Sequence, residues 1–166
     1  DVTSDASLTG ASVNVDAALT ADGNAVLTST GTTVNIGALV TAGSLTANAT
    51  TDVTGAGGIT TDGDVSLQAT GAVTATGAIT AGTDVSIFGA TGVTRGAGTI
   101  TADGALSVRS TNSAITLVGL TGGTIDLDAG TGTLTLNGAA VGDTGVTVDG
   151  GAVNVNATVT SGGDVA

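Results

Sequence analysis

Two stretches twenty residues apart, Ile59-Thr60-Thr61-Asp62-Gly63-Asp64-Val65-Ser66-Leu67 and Ile79-Thr80-Ala81-Gly82-Thr83-Asp84-Val85-Ser86-Ile87, are identical at five of nine positions. Each begins with a short apolar–polar segment, turns through Asp and Gly, and ends in an apolar–polar–apolar triplet. Followed outward in both directions, the pattern resolves into three series of aliphatic residues. The first runs Val13, Val34, Val53, Val73, Val93, Ile115, Leu134, Val153. The second runs Val2, Leu19, Leu39, Ile59, Ile79, Ile100, Leu120, Val141, Val159, and the third Leu8, Val26, Leu45, Val65, Val85, Leu106, Ile125, Val146, Val165. Steps within a series stay between 17 and 22 residues. Alternation of period two marks half-buried strands, and a fixed period near twenty residues marks stacked coils. The expected fold is all-β: a parallel β-helix, or β-solenoid, of about eight coils with three short strands in each. Right-handed winding is the expectation for parallel crossovers.

Composition agrees with a thin core. The chain has 29 Gly, a single aromatic residue (Phe88), and no Pro, Cys, Met, Trp, Tyr, His, Lys or Glu. Val, Ile, Leu and Ala fill a narrow rod, whereas the thick core of a sandwich needs larger side chains. No apolar run approaches the roughly 20 residues that a membrane-spanning helix requires. Net charge is −12, from fourteen Asp against two Arg, which excludes nucleic acid as a partner because almost no cation is present to displace phosphate counterions. Two glycine columns, Gly23, Gly43, Gly63, Gly82, Gly104, Gly123, Gly162 and Gly10, Gly31, Gly71, Gly92, Gly132, Gly151, mark the corners. Glycine there answers to positive φ or to close approach of neighbouring coils.

Against this frame, Gly58 to Leu67 and Ala78 to Ile87 resemble the repeats of filamentous-haemagglutinin-type exoproteins, which are large bacterial adhesins. The resemblance runs along essentially the whole chain. It implies a right-handed parallel β-helix serving as a stalk or fibre on a bacterial cell surface, and it carries over no catalytic residue. An acidic, cysteine-free chain rich in Thr, Gly and Ala fits the same extracellular placement. Enzymatic activity is not expected: no His, Lys, Tyr or Trp is present, and no long insertion is available to build a cleft. Residues 1–166 read as one uncapped solenoid segment, because both ends are ordinary repeat sequence. The expectation is a longer array or a filament, with further coils or copies of the chain as end-to-end partners. A host-cell, matrix or neighbouring-cell surface is the expected target of the assembly, with no insertion into membrane.

Four surface features are candidate sites. The outward ladder Thr20, Thr41, Thr60, Thr80, Thr101, Thr121 suits exposed strand positions. It also supports an alternative function as an ice-binding or ligand-binding module, which a thermal-hysteresis assay tests. A second ladder runs Asn14, Asn35, Thr54, Thr74, Thr94, Thr116, Thr135, Asn154. Asp62, Asp64 and Asp84 gather near one corner and are the candidate ligands for calcium; no other cofactor is expected, and solvated turn aspartates are the plainer reading. Phe88, Arg109 and Asp128 fall at the same place in three consecutive coils, predicting a surface clasp in which Arg109 pairs with Asp128 and lies over Phe88. Arg95 aligns with inward positions (Ala75, Leu117), so the strand is expected to end at Thr94 and Arg95 to turn outward.

Overall fold

The computed structural model describes residues 4–166, and every regular element in it is a strand. Val2, which opens the second series, lies outside the described residues. The strands form three faces. The first face is an eight-stranded sheet from Val13–Val15 through Val34–Ile36, Val53–Gly55, Ala72–Ala75, Gly92–Thr94, Ile115–Leu117 and Thr133–Leu136 to Ala152–Val155. The second face stacks Leu19–Thr20, Val40–Ala42, Ile59–Thr61, Ile79–Ala81 and Ile100–Ala102. The third stacks Ala6–Gly10, Asn24–Ser29, Ser44–Ala49, Val65–Ala69, Val85–Gly89 and Ala105–Arg109. Two long strands, Leu120–Asp128 and Ala140–Asp149, run through the corner between the second and third faces and join them into one sheet. Pairing between coils is parallel at every step. The chain is a β-solenoid of about eight coils.

Burial follows the alternation: Val13–Val15, Ile59–Thr61 and Ile79–Ala81 each bury the first and third residue and expose the middle one. The first series is one unbroken column, Val13 to Val153, in the pairing register. Inside the rod, size is balanced within coils. Ala25 sits beside Leu27 in one coil and Leu45 beside Ala47 in the next, all fully buried. Exchanging large and small across neighbouring positions holds the core near native packing density without aromatic residues.

The other two series are corrected at particular coils. Leu19 pairs with Val40, and Leu39 is exposed; Leu120 pairs with Ala140, and Val141 is exposed. Val26 also faces outward, because Ala25 and Leu27 are the inward residues of their strand and Leu27 pairs with Leu8. Parity explains each case: an inward Val26 would take Asn24 and Thr28 inward with it, and an inward Val141 would take Asp143. Leu8, Val153, Val155 and Val165 are inward positions of the first and last described coils and remain 41–58% exposed.

Arg95 is a further correction. The first-face strand does end at Thr94, but the Arg95 side chain lies inside the rod and is only 1% exposed. The backbone N–H of Arg95 still donates to Thr116 O at 2.9 Å, which keeps the residue in register with the coil above and its side chain on the inward side.

Candidate functional site

The threonine ladder forms in register: Thr20, Thr41, Thr60, Thr80, Thr101 and Thr121 stack in successive coils of the second face. Val141 then interrupts it before Thr160. The ladder hydroxyls make no hydrogen bond to protein among the described residues, so they face solvent as a single file. Asparagines elsewhere tie coils together: Thr54 Oγ1 donates to Asn35 Oδ1 at 3.4 Å, and Asn156 Nδ2 to Asn137 Oδ1 at 2.9 Å.

The aspartates have an assignment that a reading of them as solvated turn residues misses. Asp5 Oδ1 accepts from Asn24 N at 2.8 Å, Asp52 Oδ1 from Ala72 N at 2.7 Å, and Asp84 Oδ1 from Ala105 N at 2.7 Å. In each case a carboxylate at a strand entrance caps a backbone N–H of the coil above. The residue just before that N–H is Gly23, Gly71 or Gly104, where a Cβ would fall 2.2 or 2.3 Å from the carboxylate oxygen. None of the three has positive φ: a methyl there would displace the capping carboxylate, and at Gly71 it would also meet Thr51 O at 2.7 Å. An Asp followed one coil later by Gly is therefore a signal that was present in the sequence.

Of the calcium candidates, Asp64 and Asp84 do occupy adjacent coils. Asp64 Oδ1 accepts from the Thr83 hydroxyl and from Asp84 N at 3.2 Å, so this oxygen of Asp64, like Oδ1 of Asp84, is already engaged in coil-to-coil bonding. Asp62 is exposed at the turn, and no group of three acidic, His or Cys side chains suited to a metal ion gathers among the described residues. The Thr83 hydroxyl, with help from the Asp84 N–H, holds the Asp64 carboxyl below its ordinary 3.8. A depressed folded value stabilises the fold above the unfolded pKa, and the benefit is lost as pH falls from 3.8 through the folded value. Asp64→Asn is expected to lose less melting temperature on acidification across that window than the wild type. Thermal melts at successive pH values measure this, and parallel curves would contradict it.

Phe88, Arg109 and Asp128 stack in register in adjacent coils. The Arg109 guanidinium, however, forms its ion pair with Asp126, reaching diagonally to the previous outward position, and its Nε donates to Ser107 Oγ at 3.3 Å. Asp128 Oδ1 instead accepts from Gly130 N at 2.8 Å. The hydrogen bond and charge of Asp126 raise the Arg109 pKa, with a smaller contribution from Asp128. Both partners are solvent-exposed, so the pair contributes less than about 1 kcal/mol.

Beside this column runs an open groove of about 350 Å³. Its lining includes Ala49, Ala69, Thr50, Thr70 and Phe88, together with Asn48 and Gln68. The Thr50 and Thr70 hydroxyls are occupied by backbone carbonyls of the coils below. Asn48 and Gln68 stack in register, yet neither amide has a hydrogen-bond partner among the described residues. The groove is uncharged on a strongly acidic rod, and it is bounded by the sole aromatic ring.

A repeating coil with outward polar ladders agrees with what comparison of the chain with protein families shows. The haemagglutinin repeat model matches residues 1–50, 40–110 and 120–166. The chain belongs to the haemagglutinin repeat family. No curated protein and no solved structure matches it. Haemagglutinin repeat proteins are structural and adhesive, not enzymatic, and are typical of secreted bacterial surface proteins; the chain is an adhesin-like β-helix segment.

Proposed function

We propose that this segment is a stiff extracellular spacer in a bacterial surface adhesin or fibre, continued end to end by further coils or by copies of itself. The observation that carries this reading is the sameness of the coils: equivalent residues pair coil after coil along the described length. Parallel pairing at ~4.8 Å per coil makes eight coils a rod roughly 40 Å long. Electron cryo-microscopy of the native material tests the proposal. Density continuing past Val165 in the same coil geometry is the expected result, whereas discrete capped particles would overturn it.

A second reading, recognition of a target by the side of the rod, is favoured by the groove at Phe88. An aromatic face next to two free amides suits an uncharged ligand rich in hydrogen-bonding groups. Phe88→Ala is then expected to weaken binding of the purified chain to host-cell or matrix surfaces while leaving its melting temperature unchanged. Equal binding by both proteins would leave the spacer role alone.

A further inference from the structure

On the first face Gly55 pairs with Ala75, Arg95 follows one coil later with its N–H bonded to Thr116 O, and Leu117, Leu136 and Val155 continue the column. The two smallest members occupy the coils directly beneath Arg95. The guanidinium enters that part of the core, and its Nη2 donates to Gly77 O. Nε and Nη1 are buried and have no protein acceptor. The other buried polar residues are Ser29, Thr61 and Ser110, so no carboxylate enters the core with the arginine among the described residues. Burial alone lowers its pKa, to about 10, which leaves it charged at neutral pH.

A buried charge is strongly unfavourable unless a counter-charge and hydrogen bonds accompany it. Here the chain supplies one carbonyl and no counter-charge. We propose that Arg95 holds a small monovalent anion of the halide type inside the rod, against Nε and Nη1, where Gly55 and Ala75 supply almost no side-chain volume. One positive charge calls for a single negative one. A core this narrow, enclosed by Val, Ile and Leu, excludes a polyatomic ligand carried on a larger molecule.

The test uses the wild-type chain and Arg95→Leu, since leucine already fills this column at Leu117 and Leu136. Melting temperature is measured in chloride, bromide and the bulky anion isethionate at equal ionic strength. The wild type is expected to gain several degrees from the halides over the variant's response, which reports general salt effects alone. Crystals grown in bromide are expected to show an anomalous peak within hydrogen-bonding distance of Nε and Nη1. If Arg95→Leu fails to fold, the anomalous map decides. Ordered water on both nitrogens with no bromide, or a guanidinium turned out into solvent, would overturn the proposal.

Discussion

Gly77→Ala is expected to destabilise the rod by about 3 kcal/mol, because the added methyl overpacks a contact between backbones. A Cβ on Gly77 would lie 1.9 Å from Gly57 O and 2.4 Å from its carbonyl carbon. Neither atom belongs to a side chain able to swing away. Gly57 is itself seated on Ala38, where a Cβ would meet the carbonyl oxygen at 2.0 Å, so relief by shifting one coil transmits strain to the next. Gly58→Ala, one residue away from Gly57, is the control: its nearest neighbours are Leu39 Cδ1 at 3.5 Å and Ala78 O at 3.7 Å, both ordinary contacts. This second substitution is expected to stay within about 0.5 kcal/mol of wild type. Urea unfolding followed by circular dichroism measures both; equal midpoints for the two variants would show that close approach at this corner is not what requires glycine.

Leu67→Ala is expected to cost about 4 kcal/mol, toward the upper end for deletion of a buried leucine. Leu67 is fully buried, and its column neighbour in the coil below is Ala47, so no large side chain there closes over the space left behind. Ala47→Leu in the same chain is expected to restore part of the loss, since the column already exchanges large for small between Leu27 and Ala47. Failure of the second substitution to recover stability would show that the core is fitted position by position and not by total volume.

How far these sites could be read in advance differed from place to place. The column from Val13 to Val153 is legible, because each strand there offers a single parity that buries its aliphatic residues, whereas on the second face Leu39 and Val40 compete until Thr41 is set outward with Thr20 and Thr60. The stretch Ala25-Val26-Leu27 is not, since three consecutive apolar residues satisfy either parity until Asn24 and Thr28 are weighed as well. The clasp was legible as a column and not as a bond. Register stacks Asp128 on Arg109, but a long side chain on a pleated surface reaches diagonal neighbours too, and Asp126 takes the pair while Asp128 serves Gly130.

Period, alternation and composition thus specified a three-faced parallel solenoid of about eight coils, because strand parity and coil length are properties of the local chain. Contacts between coils settled the rest. They buried Arg95 above Gly55 and Ala75, aimed Asp5, Asp52 and Asp84 at the N–H groups of the coil above, and seated Gly77 on Gly57. Those outcomes depend on which residues lie one coil away, about twenty positions distant in the chain, and on how much space each of them leaves.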